Sequence, residues 1–197
     1  MRKGEQTREA ILAQAAALFN CQGYAGSSLS DIMQATGLQK GGIYNHFGSK
    51  DDLAVAAFDY GFALASQRMA DAIRGKKNGV ERLLAIIRFF DGYYESPPVR
   101  GGCMLMNTAI ESDDAYPQLL ERAQQGMDQW RTLIRQTVEK GIARSEIVPS
   151  VDADALATII ISTLEGAIMM SKLYGDGTHI DRAVTHLCTF VENSVKA

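Results

Sequence analysis

Between Leu29 and Leu53 the chain reads LSDIMQATGLQKGGIYNHFGSKDDL, and no other stretch restricts the possible folds so tightly. Two short helical patterns flank a turn at Gly37-Leu38-Gln39, the spacing of a helix-turn-helix. Ser28 with Asp31 forms a near capping box, with Asp in place of the usual Glu, so the first of the two helices starts there and stops near Thr36-Gly37. The second is predicted over Lys40–His46. Ile43 and Phe47 lie four residues apart and share its inner face. With Leu29, Ile32, Met33 and Leu38 they can close a small core against Ile11, Leu12, Leu18 and Phe19 of a preceding amphipathic helix. Lys40, Gly41, Tyr44 and Asn45 are then left facing outward.

Gly41 and Gly42 sit where that second helix begins, although glycine costs a helix roughly 1 kcal/mol relative to alanine. A recognition helix enters the major groove with its N-terminal residues against base edges. Two residues without side chains there let backbone and duplex approach closely, so binding would offset their cost. Lys40, Tyr44 and His46 are placed to reach phosphates, as are Ser27, Ser28 and the first amides of the preceding helix. Gln39 and Asn45 carry the paired donor and acceptor that suit an adenine edge. Lys50, opening the next helix, is a further candidate phosphate contact. The bland alternative is a helical corner in which Tyr44 and His46 are ordinary surface residues.

Elsewhere no segment sustains a two-residue alternation, and four prolines with several glycine breaks divide helical patterns. The first helix is expected over about Thr7–Cys21, stopped by Gly23. A long one follows from Ser49-Lys50-Asp51-Asp52 to about Arg74. Further helices are expected over Val80–Glu95, Cys103–Ser112, Pro117–Arg144, from an Asp152 cap to Tyr174, and over Ile180–Val195. The fold class is therefore all-α, with about nine helices.

The chain has 197 residues and a net charge of −3, which gives no global basic signal. The charge is uneven: +2 over residues 1–50 and −5 over the remainder. Cys21, Cys103 and Cys188 are odd in number and widely spaced, which argues against a disulfide framework and for a reducing compartment. MRKGEQTREA lacks the apolar run of a signal peptide. The apolar run 155–170 is shorter than a bilayer span and contains Glu165. A cytoplasmic protein without a membrane partner is expected. No metal-ligand spacing, phosphate loop or acidic pair occurs, so no cofactor or metal is expected.

The longer pattern, Gly23-Tyr24, Ser27-Ser28, LSDI, then TGLQKGGIYNHFGSKDDL, resembles the DNA-binding head of TetR-type transcriptional regulators over about residues 7–53. Gln39 departs from the family, which usually has a serine capping that helix. The resemblance implies a head over 1–50 and an all-α ligand-binding and dimerisation domain over 51–197. It implies a homodimer on palindromic double-stranded operator DNA. The expected activity is that of a repressor released when a small-molecule effector binds the C-terminal domain.

In that domain the 152–174 helix is apolar nearly all round and the last helix carries an apolar stripe. Leu156, Ile160, Leu164 and Ile168, with Val184, Leu187 and Val191, are expected at the dimer interface; the competing reading makes them monomer core. Phe89, Phe90, Tyr93, Cys103, Met106, Asn107, Met127, Trp130 and Met169 are the candidate ligand-pocket residues, since aromatic and Met-rich linings adapt to apolar ligands. Cys103 follows Arg100-Gly101-Gly102 and opens a helix, a setting that raises thiol reactivity. GGCMLMNTAIE resembles a segment in one branch of these regulators that includes sensors of electrophiles and oxidants, so Cys103, with Lys172 nearby, is a candidate regulatory site; an inert buried thiol is the alternative. An enzyme using Cys103 as nucleophile lacks a partner base, because His46 belongs to the head and His179 and His186 lie in a terminal segment without a motif. An adaptor that has lost DNA contact is disfavoured by Lys40, Tyr44, His46 and Lys50.

Overall fold

Capping signals decide where the helices begin and end. In the computed structural model, which describes residues 3–112 and 115–197, these residues form nine α-helices and one π-helical turn. The first four are α1 (Lys3–Gln22), α2 (Leu29–Thr36), α3 (Lys40–Tyr44) and α4 (Lys50–Ile73). Then come α5 (Gly79–Arg88), α6 (Met104–Ser112), α7 (Pro117–Ala143), α8 (Ala153–Tyr174), α9 (Thr178–Phe190) and the π-turn Val191–Val195. The only bridge of sheet type among them joins Ile147 to Lys196. The all-α expectation therefore holds.

The first helix begins at Lys3 instead of about Thr7, the last gives way to the π-turn after Phe190 instead of running on to Val195, and two further boundaries differ for local reasons. α3 stops at Tyr44, two residues early, because the His46 N–H turns back to the Ile43 carbonyl at 3.0 Å, which tightens the last turn. α5 stops at Arg88 instead of Glu95. Phe90 N–H bonds the Ile87 carbonyl and Tyr93 N–H the Phe90 carbonyl, again three residues back, so the chain leaves α5 in tight turns.

The chain divides into two compact units. The first holds the residues up to Ala65 with Pro98–Gly126, and its core includes Ile11, Ala15, Ile32, Ile43, Leu53 and Ala57. Of the small core expected for the head, Ile11, Leu12, Ile32, Ile43 and Phe47 are buried, and Leu18, Phe19, Leu29, Met33 and Leu38 are half-buried. The second unit holds Ser66–Pro97 and Met127–Ala197. There α8 packs along α9, and α5 packs on α9 and the π-turn, around Leu83, Ile87, Leu164, Ile180 and Val191.

The interface expectation on α8 and α9 needs correction. Leu156, Ile160, Leu164, Ile168, Val184, Leu187 and Val191 are all at most 4% exposed within a single chain. They form the core of the second unit, so they have no surface left for a partner. α8 has a second apolar side, and Ile159, Met169, Met170 and Leu173 remain exposed on it. A helix apolar nearly all round offers two stripes, and periodicity alone does not say which one the protomer takes. α8 itself is 22 residues, longer than the apolar run suggested, and long and apolar enough to cross a membrane by length and composition. A core helix passes the same test, and nine of its residues are buried inside the protein.

Candidate nucleic-acid interface

The head is assembled from short-range hydrogen bonds. At the start of α2 the Ser28 hydroxyl accepts from the Asp31 N–H at 3.1 Å, and the Ser28 N–H donates to the Asp31 carboxylate at 2.7 Å. The Ser28 hydroxyl and backbone bonds hold the Asp31 carboxyl below the usual carboxylate range. Because the native value is depressed, this contribution is present above the ordinary Asp value of about 3.9 and is lost as pH falls through the lower native value. Replacing Ser28 by alanine removes the cap and is expected to cost about 1 kcal/mol of unfolding free energy, measured by chemical denaturation. A cost near zero would mean the box contributes nothing to the head.

α2 ends at Gly37, whose φ of +69° a side chain would strain. The Thr36 hydroxyl donates to the Ile32 carbonyl at 2.8 Å and accepts from the Leu38 N–H at 3.3 Å, which fixes the turn. Gln39 precedes α3 without any side-chain cap bond, so its exposed amide is available to an outside partner. Ile43 at 1% and Phe47 at 5% exposure anchor α3 from beneath. Lys40, Gly41, Tyr44 and Asn45 are exposed on the other side, as expected, while Gly42 and His46 are half-buried. The Lys40 ammonium lies 5.6 Å from the Tyr44 ring centre.

The twin glycines are not demanded by the protein's own packing. Both sit within α3, with no positive φ. A Cβ at Gly41 would meet nothing within 4 Å, and one at Gly42 would meet only Leu38 at an ordinary 3.6 Å. Intramolecular contacts therefore do not account for two residues that each weaken a helix by roughly 1 kcal/mol.

Two expected phosphate contacts are corrected. Ser27 is 2% exposed, and its hydroxyl donates to the Gly23 carbonyl at 2.6 Å, so it braces the turn after α1. Lys50 donates to the Tyr24 carbonyl at 2.6 Å and sits 4.1 Å over the Tyr24 ring. It ties the start of α4 to the α1–α2 connection, which leaves the ammonium only part of its donor capacity. Tyr24 in turn bonds Asp51 through its hydroxyl and packs edge-on to Tyr116, with ring centres 4.5 Å apart. Burial, then the Asp51 hydrogen bond, pushes the Tyr24 phenol well above its usual range, so it stays a donor.

A second layer of support was not foreseen. Both oxygens of the Glu111 carboxylate on α6 accept from the α1–α2 connection: Tyr24 N–H and Ala25 N–H, each at 2.8 Å. Asn20 on α1 donates to the carbonyls of Arg100 and Gly102 at 3.1 and 3.0 Å. Asn107, expected in a ligand pocket, donates instead to the Asn20 side chain at 2.8 Å and to the Gly101 carbonyl at 3.1 Å. These partners lie eighty or more residues apart along the chain, apart from the Asn107–Gly101 pair, and no local pattern announces them.

The other expected pocket residues fall in different units. Cys103, 2% exposed, directly precedes α6, and its carbonyl accepts from the Asn107 N–H; Met106 is half-buried on the same helix. In the second unit Phe90 stacks edge-on to Trp130 at 5.6 Å and lies 5.1 Å from Tyr93, with Phe89 against both. The buried Trp130 indole N–H meets no acceptor among the described residues. Met127 is half-buried, whereas Met169 is 47% exposed. Lys172 is exposed late in α8. None of the three cysteines forms a disulfide, and among the described residues no three metal-ligating side chains cluster.

Comparison with known proteins agrees with this geometry. Residues 11–57 match the family of bacterial regulatory proteins of the tetR type, and residues 79–187 match the tetracyclin repressor-like C-terminal domain. A helix-turn-helix regulator of Mycobacterium tuberculosis is 30% identical over 180 residues, 88% of each chain. The regulator LmrA of Bacillus subtilis is 26% identical over 92% of this chain and 96% of its own. The crystal structure of a TetR transcriptional regulator from Chloroflexus aurantiacus superposes with a TM-score of 0.96 at 52% identity, covering 100% of this chain and 99% of that one. With a capped helix-turn-helix whose outer face is free of intramolecular duties, and with both parts of the chain matched, the protein belongs to the TetR family of DNA-binding transcriptional regulators.

Proposed function

We propose that the chain is a homodimeric repressor that holds a palindromic operator through α3 of each protomer and leaves it when a small molecule binds the helical body. The observation that carries the reading is the outer face of α3: Gly41 with open space above it and Gly42 with only Leu38 at van der Waals distance, flanked by exposed Lys40, Tyr44 and Asn45. A relative whose name says repressor, DhaR of a Mycobacterium species, is 26% identical over 90% of this chain. A two-fold operator calls for a two-fold protein, with recognition helices about 34–36 Å apart. The exposed face of α8 supports self-association: Ile159, Ser162, Gly166, Met169 and Leu173 recur at spacings of three and four, an apolar seam with small residues at its centre. An effector that shifts the spacing of the recognition helices needs only the usual coupling of about 1–3 kcal/mol.

Cys103 extends the same reading to electrophiles and oxidants. It directly precedes α6, whose Glu111 holds the α1–α2 connection and whose Asn107 holds Asn20 of α1, so modification of the thiol would strain the helix that braces the head. NemR of Escherichia coli, solved in a form named as reduced, shares the fold at 23% identity and a TM-score of 0.82.

Selection of bound duplexes from a random pool is expected to return a two-fold symmetric site, whose affinity falls steeply with salt. Titration of that complex with a maleimide is expected to release the wild-type protein but not Cys103→Ser. Recovered sites without two-fold symmetry would overturn the dimeric reading; equal release of the variant would overturn the role of Cys103 alone.

A further inference from the structure

The second unit carries a basic cleft for which a repressor's DNA contacts and dimer seam have no use. It holds about 440 Å³ between the connection after α4, the start of α5 and the end of α7. Lys76, Lys77, Arg82, Lys140 and Arg144 line it, and Glu146 is the sole carboxylate among the lining residues. Glu146 is already engaged, accepting the Gly79 N–H at 2.6 Å. Among the described residues none of the five cations forms an ion pair. Three other arginines of the same unit do form ion pairs: Arg74 with Asp71, Arg131 with Asp154 and Arg135 with Glu139. A chain with net charge −3 thus sets five positive charges against one carboxylate around one hollow.

The hollow has a fixed floor. A Cβ at Gly79 would come within 2.9 Å of the Gly141 Cα, and one at Gly141 within 2.6 Å of Ile147. The absence of a side chain at Gly79 lets α5 touch α7, and at Gly141 it lets Ile147 fold back on α7. Arg144 is steadied by donating to the Lys77 carbonyl at 3.2 Å. The first amides of α5 are taken by Asn78 and Glu146, so the helix end is not the attraction. Cations near the end of α7 would also suit its helix dipole. That accounts for Lys140 and Arg144, and leaves Lys76, Lys77 and Arg82 without a reason.

We propose that this cleft binds an oligophosphate, either free or as the tail of a nucleotide. Several closely spaced negative charges match five cations that line one cleft, and two arginines supply forked donors suited to phosphate oxygens. A concave site of this size fits a small ligand better than a duplex backbone.

The test uses the full chain carrying Lys40→Ala and Tyr44→Ala, so that anions bound by the DNA-reading head do not contribute and failure of the repressor reading leaves the outcome intact. Calorimetric titration with tripolyphosphate, ATP and adenosine at low salt is expected to show one phosphate ligand per chain and no adenosine binding. Adding Arg82→Ala with Arg144→Ala is expected to weaken phosphate binding by about tenfold or more, the size of one or two lost charge-assisted bonds. Removing Arg68 and Arg182, two exposed cations elsewhere in the unit, should change it by less than about twofold. ATP binding more tightly than tripolyphosphate would identify the nucleotide as the source, and equal binding the free chain. Absence of phosphate binding, or equal loss in the control pair, would overturn the site. So would a cleft variant that melts earlier yet binds undiminished, or displacement of tripolyphosphate by random-sequence duplex.

Discussion

Replacing Lys40 and Tyr44 together by alanine lowers operator affinity by about a hundredfold or more while leaving the melting temperature unchanged. Each well-made contact to base or phosphate is worth about 1–3 kcal/mol, and about 1.4 kcal/mol corresponds to a factor of ten. Both side chains are exposed, so their removal opens no cavity; Ile43 and Phe47 continue to hold α3 in place. Loss of Lys40 also reduces the slope of log affinity against log salt by about one for each protomer that loses a phosphate contact. Gel shifts across a salt series, with circular dichroism melts in parallel, measure both effects. A folded double variant that binds its operator like wild type would remove the basis for placing α3 in the groove.

The second large effect is expected on the outer face of α8. Glutamate at both Ile159 and Met169 puts four charges into a two-fold seam, two from each protomer, and should convert the dimer to monomer at micromolar concentration. Burying unpaired charge costs several kcal/mol, and a monomer holds only one half-site, so palindrome affinity falls by roughly a thousandfold. The monomer itself should stay folded, because both positions are about half exposed. Ile160→Ala one residue on is expected to do the reverse: it lowers unfolding free energy by about 2–5 kcal/mol through a cavity while leaving the seam intact. Sedimentation velocity and denaturation together separate the two outcomes. A dimeric Ile159→Glu/Met169→Glu protein would place the contact elsewhere on the chain.

These two variants mark how far the residues could be read in advance. Signals that act within one helical turn were legible. The Ser28–Asp31 cap, the Gly37 turn and the Asp152 cap of α8 all stand where their side-chain chemistry puts them. So was the inner face of α3, because Ile43 and Phe47 follow a simple four-residue spacing. What failed was the choice between equivalent alternatives. Ser27 and Ser28 are adjacent hydroxyls, and only the close of the turn at Gly23 decides which is buried. α8 offers two apolar stripes, and its packing on α9 selects the one that becomes core. Lys50 was read as a candidate phosphate contact, and nothing near it in sequence reveals the Tyr24 carbonyl, twenty-six residues earlier, to which it also donates. Glu111 and Asn20 were missed for the same reason: their partners are brought together only by the fold.

One carboxylate on α6 grips two consecutive amides of the α1–α2 connection, while Asn107 on the same helix grips α1 itself. If α6 shifts, either the connection travels with it or the part-buried Tyr24 N–H loses its acceptor, at about 1–3 kcal/mol, while the exposed Ala25 N–H turns to water. That toll matches the free energy by which ligands ordinarily bias such proteins. The joint thus behaves as a clutch: small displacements are transmitted whole, and a larger one disengages the reading head altogether.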